Sequence, residues 1–445
     1  MKALNLMSMH GKTQAGKTQH PRRSQRLFQA ASAIALIACV SACGGASENV
    51  AASNEAAPAE SESSYQETLM TALLDAQPGD VIEIPEGKFS FDRSLSLTVD
   101  GVTIRGAGMD KSVLSFKDQV AGAEGLLVTA SNFTIEDVAI EDTKGDALKV
   151  NEGENIVIRR VRTEWTAGPK TENGAYGIYP VQTTNVLIEG NVAIAASDAG
   201  IYVGQSKNVI VRNNTARDNV AGIEVENTFD ADVYGNTAVG NTGGILVFNM
   251  PNLSQPGART RVFDNDITEN NLKNFAVAGT AVASVPAGSG VVINSNDQVE
   301  IFGNRIKDNK TTNIIISSVF SSGLSQDGMS DDFDAYPEAI YVYDNDMSGG
   351  GNNPDGLELQ ALKLMKFGPT GRLPDILWDG FVDTKKLVDG QLPEDMRICV
   401  QNGDAKVINA DAANGFKDPK IIEGAHDCEL PKLPAIKLPE KLAEL

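Results

Sequence analysis

The chain has 445 residues, of which 41% are hydrophobic and 22% charged, a composition typical of globular proteins. Its formal net charge at pH 7 is −21. We therefore expect no nucleic acid partner, because nucleic acid binding requires a dense basic surface. An acidic polysaccharide would be repelled at long range, although a local basic cleft could still hold one.

Residues 1–42 predict an export signal. A basic stretch ending in RRSQRLF precedes the apolar run AASAIALIACVSAC, which is too short to span a bilayer. The sequence VSAC at residues 40–43 resembles the lipobox of bacterial lipoproteins, in which the cysteine carries the lipid. This resemblance implies a lipid anchor at Cys43, and Gly44 after it implies the outer membrane, on a face that the sequence does not define. An ordinary signal peptide with a chance cysteine is the alternative.

Residues 43–63 predict a disordered tether. The stretch GGASENVAASNEAAPAESESS contains no basic and no aromatic residue and offers almost nothing to bury. An S-x-x-E capping box from Ser64 to Glu67 then opens a short amphipathic helix, YQETLMTALLDAQPGD. We expect this helix to cap the first turn of the folded region.

The central region repeats with a period of about 22 residues. From residue 185 it can be aligned as NVLIEGNVAIAASDAGIYVGQSK, NVIVRNNTARDNVAGIEVENTFD and ADVYGNTAVGNTGGILVFNMP. Short runs of Val and Ile with Asn or Gly at the corners indicate stacked β-strands, and the spacing of leucine-rich repeats is absent. A glycine that opens one strand of each turn recurs at Gly177, Gly200, Gly222, Gly244 and Gly290.

A second recurring residue is an asparagine that ends the other apolar strand. Asparagine tolerates left-handed backbone and can hydrogen-bond to an asparagine stacked on it, so we predict a structural role. The positions are Asn191, Asn214, Asn236, Asn265, Asn304 and Asn345.

On these repeats, residues 64–357 resemble the right-handed parallel β-helix proteins, the superfamily of pectate lyases, alginate lyases and mannuronan C5-epimerases. The resemblance implies an all-β, right-handed parallel β-helix solenoid. Residues 358–445 lose the period and predict an irregular C-terminal cap, with an independent small domain as the alternative. Cys399 and Cys428, the pair left in the mature chain, are predicted to form a disulfide. A metal site including His426 is the other interpretation.

The stretch YGIYPVQ, residues 176–182, resembles the Y-G-(I/F)-D-P-H-D motif of mannuronan epimerases, in which Asp and His transfer protons. Here Tyr179, Val181 and Gln182 replace the three chemical positions. The one histidine of the mature chain, His426, lies outside the repeats, so no imidazole base is available there. The epimerase chemistry is therefore missing from this stretch.

Lyases of the superfamily also use a Lys or Arg base with calcium held by acids. Such residues occur in the repeats, although solvated surface charges are the alternative interpretation; they are Lys149, Arg162, Lys170, Lys207, Asp198, Glu224 and Glu226. The acidic stretch at residues 325–338 lacks the spacing of a calcium loop. No metal site and no catalytic residue is assigned, and calcium is the one cofactor left open.

Strand alternation places Ile178, Ile201, Ile223 and Ile245 inside the solenoid and an outward column of side chains about 4.8 Å apart on successive turns. The column consists of Lys149, Tyr179, Tyr202, Glu224 and Leu246. Insertions at residues 165–175, 249–260, 271–288 and 318–338 border this strand and predict a loop-walled groove. The candidate ligand residues are Lys149, Tyr179, Gln182, Asp198, Tyr202, Gln205, Glu224 and Glu226.

Two functions fit these features. The first is an exported, lipid-anchored solenoid that binds a polysaccharide or another exported envelope protein along the groove without catalysis. The second is a polysaccharide lyase or uronate C5-epimerase with a rearranged active site. The missing histidine and the negative net charge favour the first.

Overall fold

The structure is a computed structural model that describes residues 62–323 and 329–443. The predicted signal peptide, the lipidation site Cys43 and the predicted tether up to residue 61 lie outside the described residues. Within the described ranges, no helix combines the length and apolar character needed to cross a membrane.

The described chain winds through two parallel sheets, and most turns contribute two strands to the first sheet and one to the second. The first sheet has 19 strands: Val81–Ile84, Gly87–Ser90, Thr103–Gly106, Ser112–Ser115, Thr134–Glu141, Glu154–Glu164, Thr184–Glu189, Val192–Ile194, Lys207–Arg212, Thr215–Arg217, Phe229–Tyr234, Thr237–Val239, Ala258–Phe263, Asp266–Thr268, Asp297–Phe302, Arg305–Lys307, Ile340–Tyr343, Asp346–Ser348 and Ile398–Gln401. The second sheet has 11 strands: Arg93–Leu97, Ala121–Val128, Leu148–Asn151, Tyr176–Val181, Ala199–Gly204, Ala221–Glu226, Gly243–Phe248, Ser289–Asn294, Thr312–Ser317, Ile376–Trp378 and Val407–Asn409. The predicted all-β parallel solenoid is confirmed.

The core lies between the sheets and follows the alternation of the strands. Ile178, Ile201, Ile223 and Ile245 are fully buried in it, as predicted. Strand pairing places Ile178 opposite Ile201 and Ile201 opposite Ile223, so identical side chains stack on successive turns. Stacked β-branched side chains fill the interior because each turn repeats the position of the last.

One α-helix packs against the first turns of the solenoid, and the other helices lie outside the two sheets. The N-terminal helix, Glu62–Leu74, begins two residues before Ser64 and buries Tyr65, Leu69 and Leu73 against the first turns. The other α-helices are Leu357–Phe367 and Glu440–Ala443, and the 3₁₀ helices are Ala281–Ser284, Val319–Ser321, Thr384–Lys386, Glu394–Met396 and Ala412–Asn414.

The predicted asparagine stack is present and joins neighbouring turns. Asn214 Nδ2, for example, donates to Asn236 Oδ1 at 2.9 Å, and Asn236 Nδ2 donates to Asn265 Oδ1 at 2.9 Å. A second stack, which the sequence analysis missed, lies at the next corner and contains Asn219, Asn241, Asn270 and Asn309. Both stacks satisfy backbone groups that the corners would otherwise leave buried without partners.

The C-terminal region adds strands to both sheets. Ile376–Trp378 and Val407–Asn409 extend the second sheet, and Ile398–Gln401 extends the first. Loss of the sequence period beyond residue 357 therefore reflects long insertions between strands rather than an end of strand pairing. Cys399 and Cys428 form the predicted disulfide, with Cα atoms 4.9 Å apart.

After the disulfide, residues 429–443 form a segment, here called the C-terminal strap, that returns along the outer face of the first sheet. The Leu433 amide donates to Glu300 Oε1 at 2.7 Å, and the Ile436 amide donates to Asp232 Oδ2 at 3.1 Å. Near the end of the strap, Leu442 packs in a cluster with Leu187 and Ile210.

Candidate functional site

The outer face of the second sheet carries the predicted column. Tyr179 pairs with Lys149 on the preceding turn, and Glu224 pairs with Tyr202 on one side and Leu246 on the other. Parallel pairing holds equivalent positions in register, so these side chains leave the sheet on the same face.

Three tyrosines meet at this column. The ring centroids of Tyr176 and Tyr179 are 4.4 Å apart, those of Tyr176 and Tyr202 are 4.7 Å apart, and those of Tyr179 and Tyr202 are 4.9 Å apart. The sequence analysis missed Tyr176, because alternation counted from Ile178 assigns it to the interior. The sequence feature that could have identified Tyr176 is the pair of tyrosines in the stretch YGIY.

Three carboxyl groups adjoin the tyrosines. The carboxyls of Asp198 and Glu224 adjoin each other, and a proton held by one of them would let the two share a hydrogen bond. Tyr202 Oη donates to Glu226 Oε1 at 2.6 Å. We call the group formed by Tyr176, Tyr179, Tyr202, Asp198, Glu224 and Glu226 the tyrosine–carboxyl site.

Burial sets the protonation of these carboxyls. It raises the pKa of Asp198 to about 8, and the neighbouring charge of Glu226 adds to the increase. Burial also raises the pKa of Glu224 and of Glu226 above their usual range, while the hydrogen bond from Tyr202 opposes the shift at Glu226. Coupled carboxyls in a site shielded from water do not all ionise, so the site retains a proton at neutral pH.

A fourth acid and a cation border the site. Burial raises the pKa of Asp146 to about 6, and Lys149 opposes this shift. Lys149 Nζ lies 3.9 Å from Glu124 Oε1 and 5.0 Å from the centroid of the Tyr179 ring. Burial raises the pKa of Tyr179 to about 12, so its hydroxyl stays protonated as a donor. The sequence analysis missed Asp146 because this residue lies before the strand Leu148–Asn151, where alternation does not indicate which way a side chain points.

The site is less open than the groove that the sequence predicts. Tyr202 is 3% exposed and Glu224 is 1% exposed, so neither forms an open floor. Tyr176, Tyr179 and Glu226 are half-buried and supply the accessible surface. Ring packing explains the difference, because the neighbouring tyrosines cover Tyr202. The assignment of a ligand groove itself stays a prediction.

The two predicted glutamines lie at the corner that follows these strands. Gln182 is exposed and has a positive φ of 57°. Gln205 Oε1 accepts hydrogen bonds from the backbone and the hydroxyl of Ser254, at 3.1 Å and 2.8 Å. Gln205 therefore holds the 249–260 insertion against the solenoid.

Beyond Glu224, insertions cover the same face of the sheet. Leu246 and Val292 pack in a cluster with Val282 and Val285 of the 271–288 insertion and with Leu362 of the helix Leu357–Phe367. A cavity of about 540 Å³ remains among these elements. The part of the predicted groove that remains accessible is therefore the end that carries Tyr176 and Tyr179.

The remaining basic candidates do not join the site. Arg162 lies on the first sheet, where it donates to Glu141 Oε1 at 2.7 Å and also pairs with Glu164. Lys207 is exposed on the first sheet, and Lys170 is exposed in a corner insertion. The positions of Lys170 and Lys207 fit the alternative interpretation of solvated surface charges, whereas the Arg162 side chain is only 14% exposed and is held in ion pairs.

No group of three or more His, Cys, Asp or Glu side chains within residues 62–323 and 329–443 is arranged to hold a metal ion. The acidic stretch at 325–338 falls partly outside the described residues. The alternative metal site at the two cysteines is replaced by their disulfide.

Solved structures similar to the chain include the mannuronan C-5 epimerase AlgE4 A-module of Azotobacter vinelandii, with 19% identity, a TM-score of 0.46 and coverage of 71% of this chain and 87% of that one. A DFA-IIIase from Arthrobacter chlorophenolicus A6 shows 12% identity, a TM-score of 0.42 and coverage of 72% and 87%. An alginate lyase from Paenibacillus sp. str. FPU-7 shows 14% identity, a TM-score of 0.31 and coverage of 65% and 96%.

A search of curated proteins returns no match. The family model described as the right handed beta helix region matches residues 90–256 and 172–323, which together span more than half of the chain. With its stacked parallel strands, the chain belongs to the right-handed β-helix family.

Proposed function

We propose that the protein is an exported, lipid-anchored binding protein that holds an uncharged glycan at the tyrosine–carboxyl site. One observation carries the proposal: three tyrosine rings with centroids within 4.9 Å of one another adjoin coupled carboxyls on neighbouring turns. Aromatic rings offer apolar faces to sugar rings, and carboxyl and phenol groups exchange hydrogen bonds with sugar hydroxyls.

The charge of the site favours an uncharged glycan over a uronate. With a pKa of about 6, Asp146 is mostly ionised at neutral pH. Burial raises the pKa of Glu226, and the hydrogen bond from Tyr202 opposes that shift. A uronate carboxylate placed among these acids would be repelled at short range. The protonated carboxyl shared by Asp198 and Glu224 adds hydrogen-bonding capacity without adding charge.

The carboxyl geometry favours binding over hydrolysis. Retaining glycosidases separate their two catalytic carboxyls by about 5–5.5 Å around the sugar, and inverting ones by about 6.5–9.5 Å to admit a water molecule as well. Asp198 and Glu224 adjoin each other directly, which leaves no such space. We therefore assign Asp198 and Glu224 a supporting role, in which the pair packs against the tyrosines and shares one proton.

Affinity electrophoresis of the purified protein in gels with β-glucan, mannan or xylan, and in gels with alginate or polygalacturonate, tests the proposal. We expect retardation by a neutral polysaccharide and none by the uronates. Tyr179→Ala should weaken binding about fivefold, the loss of about 1 kcal/mol from one aromatic contact. Tyr234→Ala, a tyrosine on the first sheet, is the matched control and should bind like the wild type. Unchanged binding by Tyr179→Ala contradicts the proposal.

A lyase or C5-epimerase activity is the second candidate. The observation that favours it is Lys149, whose ammonium lies 5.0 Å from the centre of the Tyr179 ring, because lysine and tyrosine are both able to move a proton at a sugar carbon. Incubation with uronate polysaccharides, followed by detection of unsaturated products or inverted residues, distinguishes this activity from binding alone.

A further inference from the structure

The outward column of the second sheet changes from exposed to buried along the solenoid axis. Ser96 is exposed, and Leu127, Lys149 and Tyr179, which follow it in the strand pairing, are half-buried. We call this part of the column, from Ser96 to Tyr179, the open column. The positions on the following turns are at most 7% exposed, and they are Tyr202, Glu224, Leu246, Val292, Ile315 and Leu377.

Two segments, here called the roof, cover the buried part of the column. They are residues 271–288 and the helix Leu357–Phe367. Val285 of the first segment and Leu362 of the second pack with Leu246 in one buried cluster. Because Leu246 lies on the turn next to the tyrosine–carboxyl site, the roof begins at the edge of that site.

Hydrogen bonds fasten the roof. Asn274 Nδ2 donates to the carbonyls of Val282 and Val285, each at 2.9 Å. The Ala287 amide donates to Asp355 Oδ2 at 3.0 Å, which joins the two roof segments. The cavity of about 540 Å³ beneath the roof has the volume of a small-molecule site, so it holds no more than a short piece of a polymer. The roof therefore closes the C-terminal side of the site to a continuing chain.

Corner insertions wall the site on its two sides. The insertion at 165–175 is held by a hydrogen bond of 2.7 Å from Asn173 to the Ala195 carbonyl. The insertion at the opposite corner is held by Ser254, which donates to Gln205. With these walls and the roof, the site is open towards the N-terminal turns.

We propose that the tyrosine–carboxyl site recognises the end of a glycan chain, with the terminal sugar at the tyrosines and the rest of the chain leaving along the open column. This inference rests on the proposed glycan function and specifies which part of the glycan is bound. A groove that is open at both ends accepts internal segments of a polymer, whereas a groove closed at one end accepts a terminus. Neighbouring strands are about 4.8 Å apart, so the open column extends about 14 Å beyond Tyr179.

Isothermal titration calorimetry with short and long linear fractions of β-glucan, mannan and xylan tests the proposal through its stoichiometry. We expect one protein molecule per glycan chain at every chain length, because each chain has one terminus of the recognised kind. Borohydride reduction, which opens the sugar ring at the reducing end, identifies that terminus. Lost binding assigns the reducing end, and retained binding of one protein per chain assigns the other end.

A number of bound protein molecules that rises with chain length would show binding to internal segments. This result overturns end recognition and leaves the proposed glycan function standing. Absence of binding to every neutral glycan overturns both.

A fluorophore beside the column locates the rest of the chain. Ser96→Cys on the open column and Gln360→Cys on the roof each place a thiol at an exposed position, and both are labelled with the same environment-sensitive dye. A long oligosaccharide should shift the emission at residue 96, whereas a disaccharide should not, because it ends before reaching this position. Neither ligand should shift the emission at residue 360. Binding of the long ligand with a shift at residue 360, or without one at residue 96, contradicts the proposed path.

Discussion

Tyr202 and Glu226 are joined by a hydrogen bond of 2.6 Å, and Gly204, which pairs with Glu226 in the second sheet, lies beneath the Tyr202 ring. A Cβ at position 204 would overlap that ring and its hydroxyl. The absence of a side chain at Gly204 therefore fixes the path by which Tyr202 reaches Glu226.

Gly204→Ala should displace the Tyr202 ring, because the added methyl group occupies its position. We expect a loss of about 2 kcal/mol in the free energy of unfolding, typical of overpacking, together with weaker glycan binding. A double-mutant cycle with Tyr202→Ala checks the cause. The two changes should be clearly less than additive, since removing the ring removes the overlap. Full additivity would show that the methyl group acts elsewhere.

Stability should depend on pH through the buried carboxyls. The pKa of Asp198 is raised to about 8 and that of Glu224 is raised above its usual value, mainly by burial. Carboxyls in the unfolded chain release their protons near pH 4, so between about pH 4 and pH 8 the folded state binds more protons. The stability from the neutral carboxyls is complete below about pH 4 and declines as the pH rises towards 8.

Thermal melting at intervals from pH 4 to pH 9 measures this dependence. Glu224→Gln keeps a neutral hydrogen-bonding group and should flatten part of the decline. Asp297, whose pKa burial raises to about 8, contributes in the same direction in every variant, so the difference between variants is the informative quantity. Glu154→Gln, at an exposed position, serves as the surface control. A Glu224→Gln curve parallel to that of the wild type would contradict the protonation assignment.

The asparagine stack should be sensitive to a single truncation. Asn236→Ala leaves the Asn214 amide and the Val211 carbonyl without their partner, so we expect a loss of about 3 kcal/mol in the free energy of unfolding. Asn213→Gly, at an exposed corner position with positive φ, keeps the backbone conformation accessible and is the control. Chemical denaturation of both variants measures the difference.

Removal of the disulfide should destabilise the C-terminal region. Cys399 and Cys428 are 29 residues apart, and closing such a loop contributes about 3.5 kcal/mol in the chain-entropy model. The paired change Cys399→Ser and Cys428→Ser should lower the denaturation midpoint, and reductant should shift the wild type in the same way. A midpoint of the wild type that does not respond to reductant speaks against a stabilising bond.

Lipidation is tested in cells rather than in the purified chain. Cys43→Ala removes the attachment site that the lipobox resemblance implies, so the protein should move from the membrane fraction to the soluble fraction of the envelope. Membrane fractionation and the mass of the N-terminal peptide measure both properties. A variant that still sediments with outer membranes contradicts the anchor assignment.

The repeated positions predict the fold well because each turn imposes the same steric demand. Ile201 recurs as Ile223 and Ile245, and Asn214 recurs as Asn236, so the sequence shows both which side chains are buried and where the corners lie. The same logic predicts the outward column that contains Tyr179 and Tyr202.

The direction and burial of side chains outside the repeated positions cannot be predicted in this way. Alternation counted from Ile178 assigns Tyr176 to the interior, and Asp146 precedes its strand, where alternation assigns no direction. The burial of Tyr202 depends on rings from a neighbouring turn, which no single-turn pattern reveals. The carboxyl pair Asp198 and Glu224 joins residues from different turns, so its shared proton follows from three-dimensional proximity alone.

The C-terminal strap changes how the solenoid should unfold. In a repeat array, stability is close to a sum of neighbouring contacts, so terminal turns can fray one at a time. The strap links the disulfide-bonded last turns to Glu300, Asp232 and the cluster around Ile210, which belong to turns far along the axis. Peeling the C-terminal turns from the rest therefore also requires releasing the middle ones. The solenoid should therefore unfold more cooperatively than a repeat array whose turns contact only their immediate neighbours.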